Sequence, residues 1–203
     1  MSPTSSTTVK QSGTRVRLVE SAAELFSRQG FGATGIKAVL AAAAAPYGSL
    51  YHFFPGGKQE LGAAALTHGG ERWRELLESV YPPGADLVEA TEASFVQGAG
   101  LLEETDYGYA CPIATIALEV ASTDELMRTA AAGAFESWLE VLEQRFTEAG
   151  MSTERAREVA VETFCLLEGA ILLARTTRSS VPMHIAGRAA ARAVSDALAD
   201  SRS

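Results

Sequence analysis

The chain has 203 residues, 47% of them hydrophobic and 21% charged, a balance that supports a sizeable folded core and excludes an intrinsically disordered chain. Its net charge of −8 argues at first against a nucleic-acid partner, but the charges are segregated: six basic and two acidic residues up to Lys58, eleven basic and twenty-three acidic beyond it. A basic head on an acidic body is the asymmetry expected where one end of a protein meets an anionic partner.

Helical periodicity dominates the chain, and no alternating β-branched run or Asn-Gly hairpin signal appears. Leu18, Ala22, Leu25 and Phe26 recur on one face and predict a first helix over about 12–29, ended by Gly30 as a C-terminal cap. Thr34 suits the N-cap of a short second helix whose apolar face is Ile36, Val39 and Leu40. Pro46 suits the first turn of a third, held down by Leu50, Phe53 and Phe54. Pro55-Gly56-Gly57 breaks the chain before a longer helix from Lys58 toward Val80, which Tyr81-Pro82-Pro83-Gly84 stops. Further helices are expected at about 85–104, 112–121, 124–149, 153–178 and 182–199. The alanine run 41–45 is helix-forming sequence that lets helices approach closely, not low-complexity filler.

One long helix followed by two short ones around a tight turn near Ala44-Ala45-Pro46 is a helix-turn-helix arrangement, in which the second short helix enters the DNA major groove. With Leu50, Phe53 and Phe54 facing inward, Tyr47, Gly48, Ser49, Tyr51 and His52 are left on the outer side. A face of hydroxyls and an imidazole, without acids, suits phosphates and base edges. Lys58 begins the next helix, where free N–H groups and the dipole favour a phosphate. The candidate DNA contacts are Arg15, Arg17, Thr34, Lys37, Tyr47, Gly48, Ser49, Tyr51, His52 and Lys58.

These residues carry a resemblance. Residues 14–66, with the run AAELFSRQGFGATGIKAVLAAAAAPYGSLYHFFPGGKQEL, resemble the DNA-binding domain of the TetR family of bacterial transcriptional regulators. The stretches YACPIATIALEVAS, FESWLEVLEQRF and LEGAILLARTTRS extend the likeness to the LmrA/YxaF-type subgroup across most of the chain. Tyr47 stands where the subgroup's motif usually has lysine or arginine; it keeps a hydrogen-bonding hydroxyl and gives up a charge. The resemblance implies an all-α homodimer whose N-terminal three-helix domain binds a palindromic operator. A C-terminal helical bundle would form the dimer contact and a pocket for a small effector, often aromatic, that changes the separation of the two reading heads and releases the DNA. On this reading 1–13 is a flexible tail, 14–57 the helix-turn-helix domain and 58–203 the ligand-binding and dimerisation domain. Repression is the default of such regulators. The small residues of Gly169-Ala170 and AGRAAARAVSDALA place the dimer contact on the last two helices.

A pocket in a helical bundle is lined by apolar and aromatic side chains, and the candidates are Phe95, Ile113, Ile116, Met127, Phe135, Trp138 and Phe164; each is equally readable as ordinary core. Glu119 and Glu168 sit in apolar runs and need partners if buried, either an arginine such as Arg175, Arg178, Arg188 or Arg192 or a polar group of the effector. Cys111 precedes Pro112 at a helix start, which permits a reactive thiolate, but packing is the simpler reading; Cys165, in an apolar helix, reads as core. His52, His68 and His184 share no ligand spacing, so no metal and no cofactor are expected. Gly56-Gly57-Lys58 lacks the strand and spacing of a phosphate loop, and no catalytic constellation marks an enzyme. The N-terminus has no secretory pattern, the longest uncharged apolar run (38–45) is too short for a bilayer, and two distant cysteines fit a reducing cytoplasm. The competing class is a small-molecule binding protein that has lost its DNA contact, which salt-dependent DNA affinity would distinguish.

Overall fold

The computed structural model describes residues 4–108 and 110–201, with side chains from Gly13 onward. Its elements are α1 (Thr4–Gln29), α2 (Ile36–Ala42), α3 (Ser49–Phe53), α4 (Gly57–Val80), α5 (Leu87–Glu104), α6 (Pro112–Val120), α7 (Glu125–Glu148), α8 (Thr153–Thr177) and α9 (Val181–Asp200). No strand forms among the described residues, and the protein is all-α. Helix α1 begins at Thr4, inside the stretch read as a tail, whose residues 1–3 lie outside the described residues.

The helix ends follow local chemistry. Gly30 takes φ +84°, the left-handed conformation a glycine adopts without strain, and its N–H closes α1 on the carbonyl of Phe26. Asp86 caps α5 through the N–H groups of Val88 and Glu89, and Ser152 caps α8 through that of Arg155. Two starts differ from expectation. Gly35, not Thr34, occupies the N-cap of α2, and it supplies no side-chain bond. Pro46 lies in a turn that leads into α3, its carbonyl accepting from the N–H of Ser49, where the helix proper begins.

The chain divides into two compact units. The first holds residues up to Glu71 together with Pro112–Ala134. Its core is Leu18, Ala22 and Phe26 of α1, Val39 and Leu40 of α2, Leu50, Phe54, Leu61 and Leu66, closed by Ile113 and Ile116 of α6 and by Met127. Helix α1 touches α2, α3 and α6. The second unit holds Arg72–Cys111 and Phe135 onward. Here α9 packs against α5 and α8 around Phe95, Leu102, Ala174, Met183 and Ala190. Gly187 makes the close approach of α9 to α5 possible: a Cβ there would lie 2.7 Å from the Cβ of Phe95.

Candidate functional site

In the first unit, α2 and α3 form the helix-turn-helix. Helix α2 ends in a Schellman closure: Ala45 N–H donates to the carbonyl of Leu40, Ala44 N–H to that of Ala41, and Ala44 holds φ +47°. The Arg17 Nε adds a hydrogen bond to the Ala43 carbonyl at 3.0 Å, fixing the turn to α1. Leu50 and Phe54 anchor α3 in the core. On the opposite side Tyr47 is 63% exposed and Tyr51 55% exposed. His52, Gly48 and, on α2, Lys37 are also exposed, while Ser49 is half-buried. The His52 ring stands edge-on to Phe53 at 4.6 Å. No carboxylate occurs in the chain between Glu24 and Glu60, so this surface offers hydroxyls, an imidazole and an amine without a competing acid.

Other expected contacts are turned inward. Thr34 is 1% exposed, and its hydroxyl donates to the Gly30 carbonyl at 2.7 Å, which removes it from any DNA surface. The Lys58 amine donates to the carbonyl of Phe31 at 2.6 Å and lies 4.3 Å from that ring's centroid. Burial lowers its pKa, opposed by the carboxylate of Glu119. At the start of α4 the N–H of Gly56 already donates to Glu60 at 2.7 Å. Lys58, half-exposed, thus ties the start of α4 to the turn after α1. Arg17 remains exposed but is committed to the turn, and Arg15 lies over the Phe54 ring, its guanidinium carbon 5.3 Å from the centroid.

The second unit encloses a cavity of about 260 Å³. Leu76, Leu101, Phe164, Leu167, Ile171 and Met183 form much of its apolar wall. Of the residues expected to line a pocket, Phe95 and Phe164 do so. Phe135 and Trp138 pack behind, with ring centroids 6.2 and 5.4 Å from that of Phe164, and Trp138 also meets Trp73. Ile113, Ile116 and Met127 are corrected: they are buried in the core of the first unit and line no part of this cavity. Sequence reasoning missed Trp73, Tyr81 and Thr163, which do line it.

Two family models match the chain: one described as "Bacterial regulatory proteins, tetR family" over residues 18–65, the other as "Transcriptional regulator LmrA/YxaF-like, C-terminal domain" over 88–189. The chain belongs to the TetR family of transcriptional regulators. It is 37% identical to the uncharacterised regulator Rv0196 of Mycobacterium tuberculosis, over 87% of this chain and 91% of that one. To the uncharacterised regulator YxaF of Bacillus subtilis it is 32% identical, over 83% and 88%. A solved TetR regulatory protein from Rhodobacter sphaeroides shares its fold at 23% identity, with a TM-score of 0.76 over 88% of this chain and 97% of that one. The helix-turn-helix is thus the DNA-binding element of a TetR-family regulator.

Two carboxylates of this TetR-family chain have partners that the sequence did not suggest. Glu119 is exposed at the end of α6, and its oxygens accept from the N–H groups of Phe31 at 3.0 Å and Gly32 at 2.6 Å, holding the turn between α1 and α2. Among the described residues Glu168 pairs with no arginine: Arg175 donates to the Tyr107 carbonyl and Arg178 pairs with Asp106. Glu168 instead takes a hydrogen bond from the buried Cys111, and burial raises its pKa. Cys165 is exposed, not core, because it falls on the α8 face shared with Val161 and Leu172, away from α9.

Proposed function

We propose that this regulator is a ligand-responsive repressor, binding a palindromic operator as a homodimer and released by a small apolar or aromatic effector. The observation that carries the proposal is the pairing, in one chain, of an acid-free exposed reading face with an apolar cavity. Tyr47, Ser49, Tyr51 and His52 read base edges and phosphates, with Lys37 and Arg15 supplying charge. Tyr47 contributes a hydroxyl and an aromatic face in place of a charge. The dimer forms through α8 and α9, a reading supported by Val161, Leu172, Leu173, Val181 and Ile185, which are exposed on these two helices. Gly169 lies on α8 with open space around it. Two copies would then present two reading helices about one DNA turn apart.

The test is fluorescence anisotropy on the duplex upstream of the protein's own gene, across a salt series. Binding should weaken steeply with salt. Lys37→Ala should weaken binding to every duplex alike and lower the salt slope by about one, whereas Tyr47→Phe should shift preference among sequences. Absence of binding to that duplex at low salt, with no effector added, would sink the proposal in favour of a binding protein without DNA contact.

A further inference from the structure

Between Lys37 and Lys58 the chain carries no arginine, lysine, asparagine, glutamine, aspartate or glutamate. That stretch holds the end of α2, the turn and all of α3. It therefore lacks every side chain that reads a base by paired hydrogen bonds: arginine or lysine on guanine, asparagine or glutamine on adenine, a carboxylate on cytosine. Lys37 stands on α2, the helix that in this motif crosses the phosphate backbone. Ser49 and His52 can each offer a single bond, and a lone hydroxyl bonds to several bases alike. One base signal remains for such a surface, the C5-methyl of thymine, which is read by apolar contact in the major groove.

Tyr47 is placed to make that contact. The N-terminal residues of a reading helix are the ones that meet base edges, and Tyr47 stands just ahead of α3. It is 63% exposed, and its side chain has no hydrogen bond or ring contact among the described residues. Tyr51, also exposed, leans the other way: a Cβ built on Gly57, at the start of α4, would lie 3.7 Å from its Cε1. Gly48, beside Tyr47, has ordinary helical angles, φ −66° and ψ −16°, and a Cβ there would meet nothing within 4 Å. Neither its conformation nor its packing calls for glycine. The room it leaves opens to solvent, where the backbone can come close to a base pair and bring the neighbouring ring with it.

We propose that this regulator recognises its operator through thymine methyl groups rather than through guanine, and that the Tyr47 ring is the side chain that packs on them. The inference rests on the reading of α3 as the face that enters the groove and names the base it selects.

Fluorescence anisotropy of the full-length protein at one fixed salt concentration tests it, on the duplex upstream of its own gene and on a scrambled duplex of equal composition. The upstream duplex is prepared in two further forms, with deoxyuridine for every thymidine and with 7-deazaguanine, which lacks the N7 acceptor, for every guanine. Uracil should lower the wild-type affinity about tenfold, the worth of one buried methyl in each of two half-sites. The 7-deazaguanine duplex should bind like the natural one. Tyr47→Ala should lose about tenfold on the natural duplex and no longer distinguish it from the uracil form, whereas Tyr47→Phe, which keeps the ring, should keep the uracil penalty. Equal binding of the uracil and natural duplexes by the wild type, or a greater loss with 7-deazaguanine than with uracil, overturns the thymine reading and leaves operator binding standing. A uracil penalty that persists in Tyr47→Ala overturns the role of Tyr47. No preference of the wild type for the natural duplex over its scramble overturns the operator reading itself and the inference with it.

Discussion

The reading head and the bundle fix their turns alike and differ in the void that one of them keeps. Around the helix-turn-helix, Arg17, Lys58 and Glu119 reach across the chain to backbone atoms of its turns, as Arg145 and Arg175 do in the bundle. What sets the bundle apart is the apolar cavity its helices leave between them. A surface that reads another molecule must hold one shape, and side chains bonded to backbone give it that shape. The polar residues of the head that bond to its turns fix that surface.

Substitutions can break this contrast. The largest effect is expected for Phe54→Ala in the head, which empties the buried anchor of α3; a loss of about 3–5 kcal/mol should appear in urea denaturation, with specific DNA binding lost first. Its counterpart in the bundle is Gly187→Ala. The new methyl would press on the root of the Phe95 side chain, which cannot swing aside, and the expected cost is about 1–3 kcal/mol by the same measurement. Helix α5 would move away from α9, and Phe95, which lines the cavity, would move with it.

A subtler separation comes from pH. Burial holds the pKa of Glu168 above its ordinary value. As pH rises past the ordinary carboxylate range, the unfolded chain releases this proton before the folded one does. The Glu168 contribution is therefore most favourable at low pH and falls until pH exceeds the raised folded value. Glu168→Gln should remove that limb from a plot of stability against pH, and the variant should be the more stable protein at neutral pH; an unchanged slope would show that the carboxylate is better solvated than its burial implies. The smallest effect sharpens the head instead. Ala44 holds a left-handed conformation that a Cβ disfavours, so Ala44→Gly should stabilise the protein by about 0.5–1 kcal/mol without altering sequence preference.

Much of this architecture was legible in the sequence because its signals are local. Gly30, Pro82-Pro83 and Gly150 punctuate helices through their own backbone preferences, and a period of 3.6 puts Leu18, Ala22 and Phe26 on one face of α1. What escaped was long-range. Nothing near Lys58 announces that its amine will meet the carbonyl of Phe31, twenty-seven positions away. Thr34 reads as a cap because hydroxyls favour helix starts, yet the turn before it folds its side chain into the interior. Periodicity marked Ile113, Ile116 and Met127 as buried, which they are, but could not say in which core. A cavity is harder still, since it depends on how facing helices fail to fill the space between them, and each helix taken alone looks complete.

The hold of Glu119 on the turn after α1 also bears on inheritance and engineering. Its carboxylate tip occupies the space that a side chain at Gly30 or Gly32 would need, so a substitution at either glycine would push it off the N–H groups it holds. A chimera that grafts this head onto another regulator at the end of α3 would leave α6 behind. Two backbone N–H groups would lose their acceptor, and the transplanted operator specificity would arrive on a loosened turn. The portable module is the head with its distant carboxylate, although eighty-odd residues separate the two in the chain.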